Sequence, residues 1–135
     1  MNLNQINWLA ILVAALSTFL VGGLWYSPIL FGKVWLKANG FTEAQARGFN
    51  KARAFGGAFV LALIMSANLA MFLAGPATTL WWGIAAGALA GIGWVATSLA
   101  VVALFENRSW SYIFVNAGYL IVVFILMGAI LGAWR

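Results

Sequence analysis

Tyr112-Ile-Phe-Val-Asn-Ala-Gly-Tyr-Leu-Ile-Val-Val-Phe-Ile-Leu-Met-Gly-Ala-Ile-Leu-Gly-Ala-Trp134 runs without one charged side chain. As a helix rising ~1.5 Å per residue, this stretch covers the ~30 Å hydrocarbon core of a bilayer. It is the most apolar of four such runs. The others lie at about 6–25, 54–73 and 80–104. In the first, nine Leu, Ile, Val and Phe side chains between Leu9 and Leu24 each favour insertion by roughly 0.3–0.6 kcal/mol, and no charge opposes them. The second stops at Gly75-Pro76, because proline cannot continue a helix, and the short connection to Leu80 forces an antiparallel neighbour. The third opens on Trp81-Trp82 and is rich in glycine and alanine.

Composition agrees with this reading. Of 135 residues, 65% are hydrophobic and 7% are charged, against about a quarter charged in soluble domains. Lipid is the solvent that tolerates such an excess. The length suits one compact bundle, so residues 1–135 are expected to form a single transmembrane domain of the all-α class. The segment 1–7 lacks the basic region of a secretory leader, so the first run is expected to remain as a span.

A net charge of +5 would suggest nucleic acid in a soluble protein. Here Lys33, Lys37, Arg47, Lys51 and Arg53 cluster between the first two apolar runs, a pattern that signals membrane orientation and anionic-lipid contact, with no nucleic-acid partner. The basic loop is expected in the cytoplasm. Both termini then face away from it, Arg108 falls inside, and only Arg135 opposes the bias. The tryptophans agree: Trp8, Trp81, Trp82 and Trp134 sort to the outer interface, Trp25, Trp35 and Trp110 to the inner one, and Trp94 to mid-membrane.

The basic loop carries its own structure. A short helix over 29–37, opened by Pro28, places Lys33 and Lys37 on one strip of an otherwise apolar surface and should lie in the interface. Asn39-Gly40 ends it. Thr42 with Gln45 resembles a capping box opening a second helix that feeds the second span.

Catalytic chemistry finds little support. Histidine, cysteine and aspartate are absent, so a metal site, a cofactor held by such ligands and a Ser-His-Asp arrangement have no donors, and no enzyme activity is expected. Ser27 near Lys33 reads as a polar turn. No glycine-rich loop cradles phosphate. The acids are Glu43 and Glu106, neither inside a span, so an ion-coupled carrier lacks its usual intramembrane carboxylate. Glu106 and Arg108 form a candidate pair at the inner face, either anchoring the hairpin or serving there as a polar gate or partner contact.

Small residues mark helix contacts: Gly83, Gly87 and Gly91, with Trp94 and Ser98 continuing that face; Gly128 and Gly132; and Ala14, Thr18 and Gly22. Counted inward from the basic end, Thr18, Ser98 and Asn116 lie at roughly 7–11 Å, with Tyr119 close behind. This polar layer is either a set of interhelical hydrogen bonds or a small cavity open to the cytoplasm. Asn68 lies apart, in the outer half of the second span.

The segment Gly23-Leu-Trp25-Tyr26-Ser27-Pro28-Ile-Leu30-Phe31-Gly32-Lys33-Val-Trp35 resembles the opening signature of a bacterial membrane family known as domain of unknown function 1761. Leu104-Phe105-Glu106-Asn-Arg108-Ser109-Trp110, Asn116-Ala-Gly118-Tyr119 and Met127-Gly128 resemble the rest of its pattern. The resemblance implies a small multi-span protein of the bacterial inner membrane and carries no mechanism. Two functions are compatible with the chain: a structural or accessory bundle binding lipid and protein partners, itself a possible homo-oligomer or part of a larger complex, or a small permease or binding protein for an uncharged or weakly polar solute.

Overall fold

The computed structural model describes residues 3–134, all of whose regular elements are helical. Arg135, the one basic residue expected opposite the loop, lies outside the described residues. After a 3-10 turn at Leu3–Gln5, α1 spans Trp8–Trp25, α2 Gly32–Asn39, α3 Glu43–Arg47 and α4 Lys51–Phe72. Next come α5 at Leu80–Ala90, a π segment at Gly91–Ala96, α6 at Thr97–Phe105 and α7 at Trp110–Ala133. Four helices, Trp8–Trp25, Lys51–Phe72, Leu80–Phe105 and Trp110–Ala133, are long and apolar enough to cross a membrane.

Each spanning helix starts on a side-chain cap. Asn7, Asn50, Thr79 and Ser109 accept from the backbone N–H of Ala10, Arg53, Trp82 and Tyr112 at 3.0–3.2 Å. Each cap contributes about 1 kcal/mol, because those N–H groups have no partner within the helix.

The caps also correct two expectations. The Thr42–Gln45 capping box forms, with both of its hydrogen bonds present, but α3 stops at Arg47 and does not feed the second span. Gly48 closes it, and the chain restarts on Asn50 with α4 beginning at Lys51. Likewise α2 begins at Gly32, not at Ile29, because residues 28–31 are spent in turns that reverse the chain beneath α1. Gly40, at φ 68°, ends α2, and Phe41 N–H returns to the Leu36 carbonyl.

Helix α7 is the central element: α1, α4 and α5 all pack against it. The closest contact is between α5 and α7. A Cβ at Gly83 would collide with the Gly128 carbonyl oxygen, and one at Gly87 with that of Phe124. The glycine stripes therefore meet within one chain, where close backbone approach replaces the missing hydrophobic drive. On the other side of α7, Ala10, Ile11, Ala14 and Ala15 of α1 and Ala62, Leu69 and Ala70 of α4 are buried with Val123, Met127 and Leu131. Ser66, fully buried, donates to the Ile11 carbonyl at 2.9 Å and ties α4 to α1.

In the third span the π segment resets the phase. Gly83, Gly87 and Gly91 are buried at steps of four; the next buried residues are Ala96 and Ala103. The step of five from Gly91 to Ala96 is the residue a π turn adds. At about 100° per residue, this turns Trp94 and Ser98 off the glycine face. Both are exposed, and the expectation that they continue it is corrected.

Candidate functional site

The turn that follows α1 brings aromatic side chains together at the basic end of the bundle. A Cβ at Gly32 would lie 2.6 Å from the Tyr26 carbonyl oxygen, so only glycine lets α2 close against the end of α1. With that approach made, Trp25 packs at a tilt against Phe31 at 4.6 Å between centroids and Tyr26 meets Trp35 edge-on at 6.0 Å. The Trp25 indole N–H donates to the Val115 carbonyl at 2.8 Å, and its ring lies over Gly118.

Tyr26 faces inward from this elbow. Its hydroxyl donates to Oδ1 of Asn116 at 2.6 Å, and Nδ2 of Asn116 donates to the Tyr112 carbonyl at 3.0 Å. The Tyr119 ring meets that of Tyr26 edge-on at 5.3 Å, and its hydroxyl donates to the backbone carbonyl of Thr18 at 3.3 Å. The Thr18 hydroxyl turns back to the Ala15 carbonyl at 2.8 Å. Burial, and then the neighbouring Tyr119 and Tyr112, push the Tyr26 hydroxyl up from its ordinary range, which keeps it a neutral donor.

Thr18, Asn116 and Tyr119 thus share one region, with Tyr26 as the member that sequence reasoning omitted. Ser98 does not belong to it. Its hydroxyl bonds the Trp94 carbonyl of its own helix and its side chain is exposed, so its place in the polar layer is corrected. The signal for Tyr26 was present in the turn at Ser27-Pro28, which folds the end of α1 back toward α7.

Two cavities meet at Tyr26. A cleft of about 490 Å3 between α1, α4 and α7 is lined by Thr18, Gly22, Tyr26, Phe55, Ala58 and Tyr119. A second, of about 300 Å3, lies beside α2 and α3 and is lined by Tyr26, Lys33, Trp35, Leu36, Glu43 and Arg47. The first is apolar with hydroxyl groups at its edge; the second carries the charges. Glu43 and Arg47 face each other at 3.8 Å and are largely exposed, a pair of small energetic value. Lys33 has no ion-pair partner among the described residues. Lys37, Lys51 and Arg53 are exposed around the same end.

Glu106 and Arg108 lie apart from both cavities. They pair at 3.5 Å, and the Arg108 guanidinium sits 4.9 Å from the centre of the Tyr112 ring. Asn107 adopts φ 57°. The N–H groups of Asn107 and Arg108 return to the carbonyls of Leu104 and Ala103, an αL helix stop of the Schellman type. This geometry is that of a closed hairpin tip.

A family model described as protein of unknown function (DUF1761) matches residues 9–132. No curated protein and no solved structure matches the chain.

Proposed function

The chain belongs to the DUF1761 family of proteins of unknown function, and we propose that it is a non-enzymatic membrane bundle that holds an amphipathic lipid at its basic end. The single observation that carries this reading is the junction at Tyr26, where an apolar cleft among the spans adjoins a cavity bordered by Lys33 and Arg47. A lipid chain fits the first environment and an anionic headgroup the second. Lys37, Lys51 and Arg53 add to the attraction, each cation near the surface contributing about 1 kcal/mol. In this reading the protein sits in the bacterial inner membrane, its basic loop in the cytoplasm and both termini on the other side.

The permease alternative draws less support. Beyond Thr18 the helices close on Ala14, Ala15 and Ile11 against Ala62 and Ser66, all buried. The cleft is therefore blind toward the opposite face, and Glu106 does not border it. A blind cleft holds a ligand and offers it no second exit.

Ala58 is exposed and lines the cleft, so Ala58→Trp fills the space without entering the core. Native mass spectrometry of the purified protein is expected to show retained phospholipid that Ala58→Trp removes while the melting temperature is kept. Retention of a small polar molecule in place of lipid, or lipid unaffected by the substitution, would defeat the reading.

A further inference from the structure

Helix α4 has two faces of opposite character. One, with Ala62, Ser66, Leu69, Ala70 and Leu73, is buried against α1 and α7. On the opposite side Gly57, Leu61, Ile64, Asn68 and Met71 are all exposed. Their spacing of four, three, four and three is the a/d repeat of a left-handed helix pair. Leu61 and Ile64 are each 60% exposed, and Phe72 beside them leans away onto Trp94, 6.5 Å between centroids. The seam is unfilled within the chain.

Asn68 decides what fills it. Counted from the helix centre at ~1.5 Å per residue, it sits roughly 7–10 Å from the membrane midplane, inside a hydrocarbon core of about 15 Å half-thickness. Its side chain makes no hydrogen bond among the described residues. A helical Cβ tilts toward the N-terminus, which in α4 is toward the midplane, so the short amide is directed away from the headgroups and water. Lipid tails offer neither donor nor acceptor, and an amide left unpaired there is costly.

We propose that the Gly57–Leu61–Ile64–Asn68–Met71 face of α4 is the interface with a second copy of this chain, closed by reciprocal Asn68–Asn68 hydrogen bonds. A two-fold axis along the membrane normal brings identical residues to the same depth, so each amide meets both a donor and an acceptor. Oppositely oriented copies would place the two amides in different leaflets. One asparagine at an a position within an apolar seam also fixes the register and the two-helix state.

The chain contains no cysteine, so single-cysteine variants report proximity directly. Under mild oxidation in native membranes, Ile64→Cys is expected to yield a disulfide-linked dimer of twice the chain mass, whereas Leu16→Cys, exposed on α1 at mid-membrane, is not. In fluorescence dilution of the full chain in lipid, Asn68→Leu is expected to weaken association about tenfold, given ~0.6 kcal/mol for each of two bonds, while Asn68→Gln retains most of it. Equal cross-linking at both cysteines, a monomer at every dilution, a cross-link to a different protein, or a dimer indifferent to Asn68→Leu would each overturn the proposal. An unchanged melting temperature of Asn68→Leu separates loss of association from loss of fold.

Discussion

The hydroxyl of Tyr26 rests 2.6 Å from Oδ1 of Asn116, joining the end of α1 to α7 across 90 residues of chain. The bond fixes the elbow from which both cavities open, and its two partners are not equivalent. Tyr26→Phe removes a donor and leaves Asn116 still bonded to Tyr112 through Nδ2. Asn116→Leu strands a partly buried hydroxyl. We expect the first to cost about 1 kcal/mol and the second about 1–3 kcal/mol, read as successive drops in melting temperature in detergent. Equal drops would mean that the bond is not what holds the elbow.

The contact of α5 with α7 admits a sharper comparison. Gly87 touches the α7 backbone at Phe124, whereas a Cβ at Gly93 meets nothing within 4 Å. Gly87→Leu is expected to destabilise the protein by at least ~1–3 kcal/mol through overpacking against backbone that cannot yield. Gly93→Ala should stay within about 0.5 kcal/mol of the parent. Thermal unfolding of the two variants side by side tests this, and similar losses would contradict the packing described.

Orientation is open to a direct assay. A reporter active only in the cytoplasm should be silent when fused after Trp134 and active when inserted in the turn at Gly40. The reverse pattern would invert the bundle and place the basic cavity on the outer surface.

For the cations, Lys33→Gln combined with Lys37→Gln is expected to lower co-purified acidic lipid several-fold, since each contributes about 1 kcal/mol near an anionic surface. Raising the salt concentration should produce the same loss in the parent protein, because exposed charges are screened within about 10 Å at 0.1 M. Lipid content indifferent to both treatments would remove the lysines from the site.

Much of the architecture was legible in the residues. The charge-free runs mark the four spans, and Gly83, Gly87, Gly128 and Gly132 announce a contact that the structure places within one chain. Asn39-Gly40 stops α2 because only the glycine adopts φ 68° without strain. Other features were not legible, for definite reasons. Ser66 looks like any small residue in an apolar run until α1 lies beside it with the Ile11 carbonyl turned toward its hydroxyl. The break between α3 and α4 arises where Gly48 closes the first helix and Asn50 caps the second, whereas the Thr42 capping box taken alone reads as the start of one continuous helix. Ser98 departs from the expected face because counting at 3.6 residues per turn presumes an uninterrupted helix, and the π segment at Gly91–Ala96 interrupts it. In the polar layer, Thr18, Asn116 and Tyr119 share one region, as counting along each run suggests, whereas Tyr26 enters through a tertiary turn that no periodicity encodes.

The π segment at Gly91–Ala96 divides the third span into two lengths of helix whose faces are set independently. Excising one residue from it, Val95 for instance, would heal the coil to a continuous α-helix without turning what lies beyond, because four residues at about 100° each cover the arc that five cover in the π turn. Ala96 and Ala103 would stay buried and Ser98 exposed, whereas straightening the same turn with every residue retained would bring Trp94 and Ser98 round to the glycine face. The span thus carries one spare tooth in its gearing: a deletion takes the tooth out and leaves the two halves meshed as before, while flattening the turn around it re-indexes everything from Thr97 to Phe105.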